Sequence, residues 1–305
     1  MSVIPRKTHP DLIGAAQILA SGVAFGFLGI FGKSAYSAGL EPGEFLALRF
    51  AFAAALMWAL ALITKQEPLR PHGRLLIHCA LLGGLGYAGF SSCYFSALKG
   101  LSASLTVLLL YAYPPLVTVG AWAFFGERPP AQALIAMPIA AFGLLLLVWG
   151  DLRIENSMAI GYGLMAAVGY SLYILASSRW LREVPALTSM RWVQTFAATV
   201  LVGVHLRDPA RAAHLVASAW PALLGVAGIS TVAAMGLFLA GLKRVTSAEA
   251  SLLSLGEPVA ALALSAALLG ERLTVRQAVG GVLVLGALAL VAASKPRPDF
   301  GPGKG

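Results

Sequence analysis

The sequence predicts an all-α membrane protein whose ten transmembrane helices form two inverted five-helix repeats. Hydrophobic residues make up 58% and charged residues 11% of the 305 residues, and the mean hydropathy is +0.80. A water-soluble fold cannot bury that much apolar surface, so the surrounding medium must be lipid. Ten apolar runs and an internal repeat then define how the chain crosses the bilayer.

The apolar runs are each close to the roughly 20 residues that a helix needs to cross a bilayer. The first, from Leu12 to Phe31, is too long for a signal peptide and is predicted to remain as a span. The seventh is the least apolar because Arg191 and Gln194 interrupt it. Residues 295–305 form a Pro- and Gly-rich tail that we expect to be disordered and cytoplasmic. The predicted spans are approximately 12–32, 43–63, 75–97, 102–124, 131–149, 158–178, 186–206, 219–241, 247–269 and 275–294.

The internal repeat joins residues 98–128 (LKGLSASLTVLLLYAYPPLVTVGAWAFFGER) to residues 242–272 (LKRVTSAEASLLSLGEPVAALALSAALLGER), displaced by 144 positions without a gap. Pro114 aligns with Pro258, and Arg49 in the second span has a counterpart, Arg191, in the seventh. The chain therefore divides into repeats at residues 11–150 and 157–294. Because each repeat has five spans, the second enters the membrane from the opposite side. Inverted repeats are common in secondary transporters, where the substrate site lies between them.

Positive charge in the connections predicts the orientation. If the N-terminus is cytoplasmic, thirteen Lys and Arg residues fall on the cytoplasmic side and seven, Arg153 among them, on the opposite side. Cytoplasmic loops carry the excess of positive charge in membrane proteins. Both termini are therefore predicted to be cytoplasmic.

The chain resembles the drug/metabolite transporter superfamily in three features taken together. It has ten spans, an arginine early in the second and seventh spans, and a proline within the fourth and ninth spans, each of which closes with Gly-Glu-Arg. Within this superfamily, the EamA-type ten-helix transporters are the most similar. The resemblance covers residues 11–294. It implies a two-repeat helical bundle in the cytoplasmic (inner) membrane, alternating access, and export or exchange of small metabolites such as amino acids, amines or drugs. It does not identify the substrate.

Nucleotide, metal and hydrolytic chemistry have no support in the sequence. Residues 84–89 match the GxGxxG spacing, but they lie inside an apolar span, where close helix packing explains the glycines better. The five histidines are scattered, and the sequence holds no HExxH, GxSxG or CxxC motif. The net charge of +9 forms no basic patch. We therefore expect no cofactor, no metal and no nucleic-acid partner.

Glu257 is the most informative single residue, because it lies near the middle of the ninth span and precedes Pro258. A carboxylate at the bilayer centre costs roughly 2.5–3.5 kcal/mol, so it should face a cavity or a partner. Proline frees a carbonyl one turn upstream and can bend the helix there. Two roles stay open: binding of a proton or an ammonium group, and a structural hydrogen-bond acceptor. The repeat partner of Glu257 is Tyr113, so only one repeat carries the charge.

Tyrosines recur at helical spacing in the third and sixth spans. Tyr87, Ser91 and Tyr94 share one face, and Tyr170 and Tyr173 share another. A buried tyrosine needs a hydrogen-bond partner, so these faces should point inward, with interhelix packing as the alternative role. Such a surface with one carboxylate would suit an amphipathic substrate that carries an amine. The candidate substrate-binding residues are Gln17, Tyr87, Ser91, Tyr94, Tyr113, Tyr170, Tyr173, Met235 and Glu257.

The other charges in and beside the spans are interpreted as structural. Arg49 and Arg191 lie about two turns into their spans, from where a side chain can reach the lipid headgroups or bind a substrate carboxylate. Their duplication favours the structural role. The pairs Glu127-Arg128 and Glu271-Arg272 are expected to form local ion pairs at helix ends.

The sequence is therefore interpreted as a carrier and not an enzyme, with its site between the first, third, fourth, sixth, eighth and ninth spans. Two alternatives stay open: a membrane protein without transport activity, such as an intramembrane enzyme or scaffold, and a passive channel. The expected partners are a small-molecule substrate and the lipid bilayer. A proton, a counter-substrate and a second copy of the chain, as in a homodimer, also stay open.

Overall fold

The computed structural model describes residues 11–63, 73–127, 129–149, 152, 154–270 and 272–293. Within these ranges the chain is helical, with fifteen α-helices that group into ten membrane-crossing units, as the fold class predicts. The helices of the first repeat are α1 (Leu12–Gly26), α2 (Leu28–Ser37), α3 (Pro42–Ile63), α4 (Gly73–Ala80), α5 (Ala88–Ala97), α6 (Ala103–Leu110), α7 (Tyr113–Phe125) and α8 (Ala131–Val148). Those of the second are α9 (Met158–Trp180), α10 (Ala186–His205), α11 (Pro209–Ala227), α12 (Ala234–Leu242), α13 (Ser247–Leu253), α14 (Gly256–Leu269) and α15 (Val275–Ala292).

Nine of the units in the described ranges are long and apolar enough to cross a membrane. The tenth is α10, the seventh predicted span, which buries Arg191 and Gln194 inside the bundle. Polar groups at membrane depth are expected on the protein-facing side of a helix. The first span continues to Ser37 and the eighth begins at Pro209, so both are longer than predicted. The predicted disordered tail lies outside the described residues.

Contacts between connections agree with the predicted alternation of the spans. Arg244, after the eighth span, lies 3.7 Å from the Asp11 carboxylate at the start of α1. Arg211, at the start of the eighth span, binds the Glu44 carboxylate at the start of the second, with Nε 2.5 Å from Oε1. In each pair both partners fall on the same predicted side of the membrane. We call these two ends of the bundle the Asp11 end and the Glu44 end.

The fourth helix of each repeat is broken at an equivalent place. α6 gives way to α7 at residues 111–112, and α13 gives way to α14 at residues 254–255. Prolines follow both breaks, Pro114 and Pro115 in the first repeat and Pro258 in the second. Because proline has no N–H, carbonyls one turn upstream lose their helical partner. The bend predicted for the ninth span is thus a break that immediately precedes Glu257.

The two halves of the ninth span differ in burial. In α13, which lies toward the Asp11 end, six of the seven residues are buried against the bundle. None of the described residues of α14, which leads toward the Glu44 end, is buried. The ninth span is therefore tightly enclosed up to the break and loosely enclosed beyond it. Glu257 lies at this transition.

Two π-helical segments, Leu81–Tyr87 and Gly228–Ala233, interrupt the third and eighth spans. The GxGxxG spacing falls largely within the first. A Cβ added at Gly83 would overlap the carbonyl oxygen of Val193, and one added at Gly86 would lie 3.3 Å from Cδ2 of Tyr173. Gly83 and Gly86 therefore permit close approach of the third span to its neighbours, whereas a Cβ added at Gly89 would meet nothing within 4 Å, so close packing explains only part of the GxGxxG spacing.

Candidate functional site

Tyrosines predicted from three separate spans meet in one aromatic cluster. The ring centroids of Tyr87 and Tyr173 lie 5.3 Å apart, and those of Tyr113 and Tyr170 lie 4.7 Å apart. Phe90 joins the two pairs, because its ring lies 4.8 Å from both Tyr87 and Tyr170. Such separations are typical of aromatic pairs that stabilise each other. The aromatic cluster consists of Phe50, Tyr87, Phe90, Tyr113, Tyr170 and Tyr173.

Glu257 lies beside this cluster, at the start of α14. Its backbone packs on α1, where a Cβ added at Gly22 would come within 3.2 Å of the Glu257 nitrogen. The side chain is half-buried and keeps part of its surface accessible. Its carboxyl group is close enough to interact electrostatically with Arg49 and with five tyrosines. Those tyrosines are Tyr87, Tyr94, Tyr111, Tyr113 and Tyr170.

Tyr113 connects the broken helices of the two repeats. In an unbroken helix the Ser251 carbonyl would accept from the N–H of Leu255, but that N–H bonds to the Leu252 carbonyl instead, at 3.0 Å. The Tyr113 hydroxyl donates to the Ser251 carbonyl at 3.1 Å. A buried carbonyl that the break frees is thereby satisfied by a side chain of the other repeat. The aligned residues Tyr113 and Glu257 thus lie at the same junction with different roles.

Arg49 is also part of this region. Its Nε donates to the Thr231 hydroxyl at 2.7 Å, and its Nη2 donates to the Ser230 carbonyl at 3.0 Å. Only 5% of the residue is exposed. The Arg49 side chain therefore extends into the bundle and not to the headgroups, because the π-helical segment of the eighth span offers acceptors there. The displacement of 144 positions, extended to the third and eighth spans, also aligns Tyr87 with Thr231, which predicts that the two lie at equivalent depth.

Arg191 is buried as well, with 2% exposed, and it too does not extend to the headgroups. Its guanidinium lies over the Trp58 ring, 5.2 Å from the centroid. Cation–π attraction compensates part of the cost of burying the charge. The two arginines that the repeat makes equivalent thus have different partners.

The other predicted site residues are distributed less closely. Ser91 is buried, and Tyr94 is half-buried and packs edge-on against Phe95 at 5.6 Å. The Met235 sulfur accepts from the Gln194 amide at 3.1 Å, and Met235 is buried. Gln17 has a buried Oε1 without a hydrogen-bond partner among the described residues. Met235 belongs to the same buried core as Phe50, Tyr87, Tyr113 and Tyr173.

Two further tyrosines near the candidate site were not among the predicted residues. Tyr111 occupies the break of the fourth span, and its ring lies 6.1 Å from that of Tyr113. Tyr36, near the end of the first span, interacts electrostatically with Arg49 and Tyr94. The prolines after Tyr111 were a usable signal for a break there. Tyr36 had no such signal, because its span was expected to end before it.

The Asp11 end is closed by contacts between the repeats. The carboxyl group of Glu127, just after α7, interacts with the backbone N–H of Ser247 at the start of α13. Burial raises the pKa of Glu127, although the Ser247 N–H and the nearby Arg182 oppose that rise. The local pairs expected with Arg128 and with Glu271 lie outside the described residues. The described contact of Glu127 is instead with the other repeat.

A further contact at the same end lies within the second repeat. The Lys243 ammonium donates to the Val184 carbonyl, which joins the eighth–ninth connection to the sixth–seventh connection. Burial lowers the pKa of Lys243. The Glu44 end also joins the repeats, through the Arg211–Glu44 ion pair, and a cavity of about 220 Å³ lies there among Glu44, His205, Arg207 and Arg211. Among the residues that the structure describes, no group of three His, Cys, Asp or Glu side chains could hold a metal.

Comparison with known proteins agrees with this architecture. The EamA-like transporter family matches the chain twice, at residues 12–149 and 157–293. An uncharacterized transporter of Archaeoglobus fulgidus is 27% identical over 89% of this chain and 93% of its own length. The uncharacterized transporter YcbK of Bacillus subtilis is 26% identical over 90% and 91%. The uncharacterized inner membrane transporter YicL of Salmonella typhimurium is 22% identical over 93% and 96%.

A solved crystal structure of a protein superposes with a TM-score of 0.77 and covers 91% of this chain and 95% of that chain. The two sequences are 22% identical, so the likeness concerns the fold.

Proposed function

The chain belongs to the EamA-like transporter family and is a multi-pass membrane transporter, and we propose that it is a secondary carrier for small amphipathic metabolites that bear an amine. Amino acids, amines and drug-like amphipaths form this class. The observation that carries the proposal is the convergence of Glu257 and the aromatic cluster at the break of the ninth span. The carrier exports its substrate or exchanges it for another.

The chemistry of the site supports an amine. Glu257 offers a carboxylate at membrane depth, where an ammonium group or a proton compensates the cost of burying the charge. The faces of Tyr87, Tyr113 and Tyr170 attract a cation and also pack against an apolar body. If a proton and a substrate compete for Glu257, the carrier moves them across the membrane in opposite directions. A counter-substrate would replace the proton in the exchange mode.

The packing supports alternating access. Contacts between the repeats lie at both ends of the bundle, but the two halves of the ninth span differ: α13 is tightly enclosed toward the Asp11 end and α14 is loosely enclosed toward the Glu44 end. If both termini are cytoplasmic, as proposed, the loosely enclosed half of the ninth span leads toward the outer side of the membrane, which supports an outward-facing arrangement. A carrier reaches the inward-open state by rocking one repeat against the other. A passive channel would not need this closure.

The test uses the purified protein in proteoliposomes. Vesicles preloaded with a pool of unlabelled amino acids and amines are diluted into labelled members of the pool. Saturable counterflow is expected, since a carrier exchanges substrates through one site. A non-saturable flux without counterflow would support the channel, and no flux for any compound would overturn the proposal.

The role of Glu257 is tested under an imposed pH gradient. Glu257→Gln is expected to abolish gradient-driven accumulation but keep exchange, because the amide keeps the shape and loses the titrating group. Glu257→Ala is expected to lower exchange as well, since it opens a cavity beside the break. Glu155→Gln, an exposed carboxylate in a connection, is the matched control. Full accumulation by the Gln variant, with only the Ala variant losing thermal stability, would assign Glu257 a purely structural role.

A further inference from the structure

Arg49 and Arg191 are equivalent in the repeat but not in the folded protein. Arg191 lies over Trp58, whose indole N–H donates to the Thr195 hydroxyl at 3.0 Å. Arg49 instead interacts with the hydroxyl of Tyr87 and lies within electrostatic range of Glu257. The inverted repeat therefore places one of its two arginines within electrostatic range of the only acidic residue of the candidate site.

The position of Arg49 is fixed by groups of the second repeat that also contact α1. Ser230 accepts from Arg49 through its carbonyl, and its hydroxyl donates to the Ala24 carbonyl at 2.9 Å. Two residues before Ala24, Gly22 packs on the backbone of Glu257. Arg49 and Glu257 are therefore held on either side of the same segment of α1.

Arg49 keeps N–H donors that its hydrogen bonds to the second repeat do not use, and it lies next to the aromatic cluster. A guanidinium has five N–H donors, and the Thr231 hydroxyl and the Ser230 carbonyl occupy two of them. The Phe50 ring beside it stacks on Tyr87 at 4.7 Å between centroids. Among the described residues, none donates a hydrogen bond to the carboxyl group of Glu257. The site thus presents a fixed positive charge and a carboxylate, and both interact electrostatically with Tyr87.

We infer that Arg49 is a specificity-determining residue that, together with Glu257, selects a zwitterion over a simple amine. The substrate carboxylate is directed toward Arg49, its ammonium group toward Glu257, and its apolar body toward the aromatic cluster. This inference rests on the proposed function and narrows its substrate class. Attraction of a carboxylate to a guanidinium in a low-dielectric site is strong even without direct contact.

The physical reason is charge balance. A simple amine that binds Glu257 must enter beside the Arg49 cation, and like charges brought together without compensation oppose binding. A simple carboxylate is attracted by the Arg49 guanidinium but repelled by the Glu257 carboxylate. A zwitterion presents the opposite charge to both groups, so each of its charges is compensated. Selection by repulsion of the wrong ligand is a common source of specificity.

The experiment measures binding of three ligands that share one apolar body. They are phenylalanine, 2-phenylethylamine and 3-phenylpropionate, titrated calorimetrically into the purified full-length protein. Leucine, 3-methylbutylamine and 4-methylpentanoate repeat the comparison with an aliphatic body. The wild-type protein is expected to bind one of the zwitterions at least about tenfold more tightly than its matched amine and acid.

Variants then assign the preference. Arg49→Gln is expected to lower the ratio of zwitterion to amine affinity roughly 10- to 100-fold, because a hydrogen-bonded charge is lost. Arg49→Lys should keep part of the ratio, since the charge is retained. Arg191→Gln is the matched control, which removes an equally buried guanidinium and should leave the ratio unchanged. A general loss of folding would scale all affinities alike and would not change the ratio.

The outcomes separate this inference from the proposed function. If the wild-type protein binds an amine as tightly as its zwitterion, or if Arg49→Gln keeps the ratio, the inference is wrong and the amine carrier stands. If no ligand of either set binds while the counterflow screen finds another substrate, the inference is again wrong. If Arg49→Gln does not fold, Thr231→Val, which removes the acceptor that holds Nε, must lower the ratio for the inference to stand.

Discussion

Replacing Tyr113 with phenylalanine removes one hydroxyl and leaves the ring in place. Tyr113 is 1% exposed, and its hydroxyl donates to the Ser251 carbonyl at 3.1 Å. That carbonyl has lost its helical partner, because the Leu255 N–H bonds to Leu252. In Tyr113→Phe the carbonyl would therefore be buried without a donor.

The expected cost follows from two scales. An unsatisfied buried acceptor costs about 1–3 kcal/mol in soluble proteins. Interhelical hydrogen bonds in bilayers average about 0.6 kcal/mol with a maximum near 1.7 kcal/mol. The break leaves Ser251 no alternative donor in the helix, so we expect the upper part of the second scale, about 1–1.5 kcal/mol of unfolding free energy.

The assay is equilibrium unfolding of the purified protein by SDS in mixed micelles, with melting temperature as a second readout. Tyr162→Phe is the matched control, because Tyr162 lies on the same kind of helix with 40% of its surface exposed. It should change stability by less than about 0.5 kcal/mol. If the two variants are equally stable, the Tyr113 hydroxyl does not satisfy the break. Normal stability with weakened binding would assign that hydroxyl to the substrate instead.

Three further predictions concern packing, pH and topology. Gly83→Ala should destabilise the protein by about 2 kcal/mol in the same assay, because the added Cβ would overlap the Val193 carbonyl. Gly89→Ala is the control and should be nearly neutral, because its Cβ meets open space, and equal effects of the two variants would contradict the close approach at Gly83. Burial raises the pKa of Glu127 in the folded state, so ionisation of this carboxyl group destabilises the wild-type protein as the pH rises above the pKa of the unfolded state. The melting temperature of Glu127→Gln relative to wild type should therefore increase between pH 5 and pH 8. A difference that stays constant with pH would refute the raised pKa. Reporter fusions after Lys7 and at the C-terminus should both show a cytoplasmic location. A C-terminus on the opposite side of the membrane would contradict the ten-span topology and its inverted repeat.

Much of the fold follows from local properties of the sequence. Span length and hydropathy are set by neighbouring residues, because each helix must satisfy its own backbone in lipid. The two aligned segments predict that the fourth and ninth spans share a structure, and both are broken at the equivalent place. The prolines after each break explain why, and they predict the polar junction at Glu257. The helical spacing of Tyr87, Tyr170 and Tyr173 likewise identifies faces that meet in the structure.

Other features depend on contacts between distant parts of the chain. Arg49 binds Thr231 across 182 positions, and Tyr113 binds Ser251 across 138. The repeat treats Arg49 and Arg191 as equivalent, yet only Arg49 lies beside Glu257. By itself the sequence determined a membrane bundle of two inverted repeats with a carboxylate at a broken helix. Only the tertiary structure decided which arginine accompanies that carboxylate, because a buried charge takes the acceptors and rings that packing brings to it, and a single sequence does not encode these distances locally.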